Sequence, residues 1–165
     1  MIFRFVTLVA IAIWFGGFTF YSTAVISTSQ EVLHSHLRAG LITQQVTNWL
    51  NRISIVPLAL CTMNCWMLRK HEHKRWLQLL IAALVAMVVL QAGLFVLHPL
   101  IDAKIVDREV EDAGNFFKLH RLYLVTATGQ WGATLVYLWA SLVLWTQAAR
   151  ESGRPGQRAD SQPRS

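Results

Sequence analysis

Charged side chains are scarce, at 15% of the 165 residues. Soluble domains carry roughly 25%, so too few are present to cover a water-facing surface. Cysteine is scarcer still. Cys61 and Cys65 both fall inside an apolar stretch, which excludes a secreted disulfide framework. No Asn-x-Ser/Thr acceptor, lipidation signal or phosphate-binding loop occurs, which removes the functions those motifs serve. No Ser/His/Asp constellation stands out either, so no catalytic residue is assigned and the expectation leans away from an enzyme. The net charge of +6 does not imply nucleic acid, because the basic residues cluster beside apolar runs. That clustering is a membrane-orientation signal.

What the chain does have is apolar length, with 54% hydrophobic residues and a mean hydropathy of +0.39. Residues 5–26 hold no charge over 22 positions, against about 20 needed to cross a bilayer core. Cleaved signal peptides have apolar cores of about 7–15 residues, so this run is read as a retained helix. Residues 53–68, 76–98 and 122–149 are likewise free of charge. The fold expected is all-α: an integral membrane four-helix bundle over residues 1–149, with spans at about 5–26, 47–68, 76–98 and 122–147. Residues 150–165 contain no aromatic side chain and read as a disordered cytoplasmic tail. Pro57 should kink the second span, since proline removes a backbone donor and crowds the preceding turn.

The two long connections, 27–43 and 99–118, each suggest a short surface helix, at 32–39 and 101–110. Thr28 with Glu31 has capping-box spacing, and Gly40 suits a helix stop. Residues 69–75, Arg-Lys-His-Glu-His-Lys-Arg, form a tight basic turn flanked by Trp66 and Trp76. Placing that turn in the cytoplasm puts both termini there too. Nine basic residues then lie inside (Arg4, four in the turn, and Arg150, Arg154, Arg158 and Arg164) and five outside (Arg38, Lys104, Arg108, Lys118 and Arg121). The positive-inside bias therefore predicts N-in and C-in, and the same turn suits anionic lipid.

Candidate site residues follow from helical phase, since successive residues turn by about 100°. Gln44, Asn48 and Asn51 share a face, with Arg52 at its edge. Gln91 and His98 align, and His120 and Tyr123 share a stripe flanked by Gln130. Tyr21 lies on the stripe of Gly17. The pocket predicted in the outer half of the membrane comprises Tyr21, Asn48, Arg52, Gln91, His98, His120, Tyr123 and Gln130. An intramembrane charge marks a functional interior by default, so Arg52 is the expected anchor, compensated by Asp102, Glu31 or an anionic ligand. The alternative is that these groups only hold helices together. Both stand at this point, as do homo-oligomerisation and a membrane partner.

No cofactor is the first expectation. Haem b between His98 and His120, or copper on Cys61 and Cys65, one turn apart, are the alternatives. Buried helical cysteines are more often small apolar fillers. The pair Gly16-Gly17 suggests close helix packing.

Three segments carry a resemblance: Trp14-Phe-Gly-Gly-Phe-Thr-Phe-Tyr21, Ile42-Thr-Gln-Gln-Val-Thr-Asn-Trp-Leu-Asn51 and Phe116-Phe-Lys-Leu-His-Arg-Leu-Tyr123. Over residues 1–149 the chain resembles the bacterial relatives of transmembrane protein 205, which share a four-helix domain of unknown function (number 4149). The resemblance implies a four-helix fold in a bacterial inner membrane and supplies no reaction. A more distant likeness joins it to four-helix proteins of the copper-resistance D and HemJ type. HemJ-like enzymes carry a histidine early in the first helix. Residues 1–21 have none, so their haem chemistry is not carried over.

Overall fold

A computed structural model of the chain describes residues 1–69, 74–103, 105–106, 109–110 and 113–152. The centre of the basic turn, with its His71-Glu-His73 pattern, and the tail beyond residue 152 lie outside the described residues.

The first rod comprises α1 (Ile2–Phe20), one turn of π-helix (Tyr21–Val25) and α2 (Ile26–Leu33). It runs unbroken for 32 residues, about 48 Å at 1.5 Å per residue. The second rod comprises α3 (His36–Ile53) and α4 (Ile55–Leu68), and the third and fourth are α5 (Lys74–Asp102) and α6 (Ala113–Ser152). α5 and α6 form the most extensively packed pair.

Among the described residues, three helices are long and apolar enough to cross a membrane: Ile2–Leu33, Lys74–Asp102 and Gly114–Arg150. The expected span at 47–68 is the exception, and the chemistry explains why. Pro57 has no N–H to give the Ile53 carbonyl, and the helix is interrupted at Ser54. The ladder still passes through, with Ser54 N donating to Leu50 O at 3.1 Å and Leu58 N to Ser54 O at 3.1 Å. The α4 segment is apolar but only 14 residues long, while α3 carries Gln44, Gln45, Asn48, Asn51 and Arg52.

The two predicted surface helices are corrected. No separate helix occupies 32–39, because the first rod continues through Thr28 to Leu33, the chain reverses at His34 and Ser35, and α3 begins at His36. His34 takes a left-handed conformation, φ 45°, which histidine adopts more readily than most residues. Ser35 then caps α3, its side chain accepting from Arg38 N at 3.4 Å. Gly40 lies inside α3 rather than ending a helix. In the second connection, α5 continues past Pro99 to Asp102. Two-residue strands β1 (Ile105–Val106) and β2 (Glu109–Val110) then pair antiparallel, Ile105 opposite Val110. Their β-branched residues favour an extended backbone over the helix expected there.

The core sits toward the 69–75 end. Ile11 and Trp14 of α1, Cys61, Cys65 and Leu68 of α4, Leu80, Ala83, Leu84 and Met87 of α5, and Tyr137, Ala140, Leu144 and Trp145 of α6 form one buried cluster. Outward faces are apolar as well. Ile13, Phe20, Val89, Val125 and Trp139 are each more than 60% exposed, far more apolar surface than a water-soluble monomer leaves open. Gly17 takes part in packing, since a Cβ there would stand 3.5 Å from Leu50, but Gly16 faces open space. The predicted close packing therefore holds for one glycine of the pair.

Candidate functional site

Two polar networks cross the bundle, and they differ in kind. The first lies within the close-packed half. Asn64, 2% exposed, donates to Tyr137 Oη at 2.9 Å and Ser141 Oγ at 3.3 Å, and its Oδ1 accepts from Trp145 Nε1 at 3.0 Å. Tyr137 Oη donates in turn to Cys61 O at 2.8 Å. Arg4 closes this end, with its guanidinium 5.7 Å from the Trp145 ring centroid. Every amide atom of Asn64 is engaged and it does not line the cavity of the other half, as expected for polar groups that hold helices together. Cys61 and Cys65 are free and buried here, away from any histidine of the other half.

The second network lies toward the opposite end, where α3 replaces α4 beyond the break at Ser54. It lines a cavity of about 860 Å³ between all four rods. The Tyr21 hydroxyl is placed inward by the π-helical turn. It donates to Thr43 O at 3.2 Å and accepts from Thr47 Oγ1 at 3.1 Å. π-Helical turns recur at functional sites. Across the cavity floor, Gln130 Nε2 donates to Gln91 Oε1 at 3.5 Å. Gln91 Nε2 donates to Asn51 Oδ1 at 3.4 Å, and Asn51 Nδ2 to Tyr123 Oη at 3.5 Å. Three helices are joined by this chain, and its contacts are long. Gln130 Oε1 is buried and has no partner among the described residues.

Several aromatic rings line the walls. Phe15 stacks on Trp131 with centroids 5.0 Å apart, and Trp131 Nε1 donates to Thr19 Oγ1 at 3.2 Å. Trp14, Phe18, Phe116 and Phe117 also face the cavity. Near its mouth, His98 Nδ1 lies 3.0 Å from Asp102 Oδ2, and His98 Nε2 lies 3.2 Å from Gln44 O. His120 stacks on Phe116, interplanar angle 5°.

Six of the eight predicted pocket residues line this cavity: Tyr21, Gln91, His98, His120, Tyr123 and Gln130. Asn48 and Arg52 do not. Arg52 is exposed, with its guanidinium 5.8 Å from the Trp49 ring centroid, so the predicted anchor faces outward. Asp102, expected as its compensation, is paired with His98 instead. Asn51 takes the inward position next to it, 6% exposed, because one residue turns the side chain by about 100°. Thr47 and Thr134 also face the cavity. Thr134 lies on the helical stripe of His120 and Tyr123, and helical phase could have found Thr47 too, one turn from Asn51.

The arrangement argues against a haem held by His98. A carbonyl and a carboxylate lie against its two ring nitrogens, so a metal would have to displace one of them to reach the ring. Among the described residues no group of three His, Cys, Asp or Glu side chains converges. No protein-family model, curated protein or solved structure matches the chain.

Proposed function

We propose that this chain is a four-span integral protein of a bacterial inner membrane, with both termini cytoplasmic, that receives a small, largely apolar molecule in the outer half of the bundle. The observation carrying the reading is the contrast between the two networks. One is close-packed, with bonds of 2.8–3.3 Å and every amide atom of Asn64 partnered. The other is long-bonded, incomplete and open to a cavity large enough for a drug-sized ligand, a volume within the range of about 300–1,000 Å³ typical of such sites. The three long apolar rods support insertion, and the α3–α4 rod crosses beside them, its polar face turned to the cavity and Trp49 and Trp66 exposed. The first rod, at about 48 Å, exceeds the hydrocarbon thickness of about 30 Å, so the cavity extends from the apolar core to the outer interface. The basic turn rests against anionic lipid. An apolar solute fits better than a metal ion, because the thiols lie in the close-packed half and the His98 nitrogens are engaged.

The test is native mass spectrometry of protein extracted in mild detergent, compared with Gly40→Trp. Gly40 lines the cavity and an added Cβ there meets nothing within 4 Å, so the indole plugs the space without breaking α3. A lipophile retained by the parent and missing from the plugged variant is expected. Equal retention by both would refute the reading.

A further inference from the structure

We infer that the cavity is loaded sideways from the bilayer, and that its occupant is the hydrocarbon chain of a lipid in the leaflet opposite the 69–75 turn. The inference rests on the binding role just proposed and adds the ligand class and its route. The route follows from how the rods meet. The first rod packs on the α3–α4 rod, that rod on α5, and α5 on α6. The fourth seam, between the first rod and α6, is the loosest among the described residues, and side chains bridge it. Near the basic turn, Arg4 lies against Trp145. Midway, Trp131 stacks on Phe15 and donates to Thr19 Oγ1. On α6, Phe117 and Leu124 precede Trp131 at intervals of seven residues, so all three share the stripe that faces this seam. Each of them lines the cavity and is also more than a third exposed. Ser22, one such interval beyond Phe15 on the first rod, is likewise exposed and lines the cavity. Side chains that belong both to a cavity and to the outer surface mark where the cavity opens. Here they run down the side of the bundle rather than ringing its end.

Length and chemistry identify the occupant. The lining of the seam runs from Phe15 to Ile26 on the first rod, about 17 Å at 1.5 Å per residue, and from Phe117 to Trp131 on α6, about 21 Å. One leaflet contributes about 15 Å, half the hydrocarbon thickness. A slot of that depth, open along its side, fits an extended chain better than a compact solute. Its accessible walls are mostly apolar. The floor amides of Gln130, Gln91 and Asn51 are bonded in series, so a chain end can rest on them without breaking a bond. The lining holds no lysine or arginine, and its one acid, Asp102, is paired with His98. A charged headgroup drawn inside would lose its water without a free partner. Gln30, Gln44, His98 and Asp102 stand at the mouth, where a headgroup stays in the interface while its chain enters.

A phosphatidylcholine probe with a diazirine midway along one chain tests this in lipid nanodiscs. Illumination cross-links the chain to whatever it touches, and peptide mass spectrometry locates the sites. Cross-links are expected at the buried cavity residues Leu94 and Ala127 as well as at the outward Val89 and Val125. The inward set should be lost in Gly40→Trp and the outward set kept. Ser22→Trp, or Leu124→Trp from the other side, narrows the seam and should slow inward labelling several-fold when the probe is added to assembled nanodiscs. Inward labelling at the parent's rate in both seam variants would overturn the side route. Outward cross-links alone, with a lipophile of another class still lost on plugging at Gly40, would overturn the lipid assignment and leave the cavity reading standing. Outward cross-links alone, with nothing lost on plugging, would overturn both. The parent's map decides the occupant even where a variant fails to fold.

Discussion

Asn64→Leu is expected to destabilise the folded protein by about 2 kcal/mol. Asn64 makes three interhelical side-chain bonds, at 2.9, 3.0 and 3.3 Å, to Tyr137, Trp145 and Ser141 of α6. Measured interhelical bonds in membrane proteins average about 0.6 kcal/mol each and reach about 1.7, and leucine has a similar volume, so little cavity term is added. The stranded Trp145 N–H pushes the value up within that range. By contrast, Gln91→Leu removes two longer bonds of 3.4 and 3.5 Å and should cost about 1 kcal/mol on the same scale. Equilibrium unfolding in mixed micelles of mild detergent and dodecyl sulfate measures both. A double-mutant cycle with Tyr137→Phe should show a coupling of about 0.5 kcal/mol or more, as expected for directly bonded residues. The reasoning is refuted if Asn64→Leu costs less than Gln91→Leu, for then the close-packed network does not hold the helices and the open one does.

Arg52→Met should leave probe binding in the cavity unchanged and cost roughly 0.5–1 kcal/mol, the worth of an exposed cation–aromatic contact with Trp49; a tenfold loss of binding would place Arg52 inside after all. Cys61 and Cys65 are buried, so maleimide should label them slowly in mild detergent and fully in hot dodecyl sulfate, and fast labelling of the folded protein would contradict the packing. Reporter fusions after Arg75 and after Ser165 should both read cytoplasmic, and a cysteine placed at His34 should react with an impermeant reagent from outside; an external signal at either fusion would reverse the proposed orientation.

Gly40→Trp should also raise thermal stability slightly, because glycine in a helix interior is unfavourable by about 0.8–1.0 kcal/mol relative to alanine and an added Cβ meets nothing within 4 Å. A drop in melting temperature would mean that the cavity is narrower than its walls indicate.

Much of the architecture was legible in the residues alone. Charge-free runs announced four spans, and three of the rods are long and apolar enough to cross a membrane, since length and apolarity are local properties. Pro57 announced the interruption, because the missing donor belongs to proline itself. The concentration of Tyr21, Gln91, His98, His120, Tyr123 and Gln130 around one volume was also readable, as helical phase brings them to the same depth. Phase arithmetic put Asn51 on the polar face and Arg52 only at its edge; the charge argument then chose Arg52 as the anchor, and it is Asn51 that turned inward. Surface helices were expected where the chain instead extended α2 and α5, because reversal is decided by one left-handed residue, His34, and not by average composition. The close-packed network was invisible in sequence, as Asn64 lies 73 to 81 residues from its partners. Periodicity determined which faces of each rod could meet; only the packing of the rods decided which polar groups found partners, and it left Gln130 Oε1 without one.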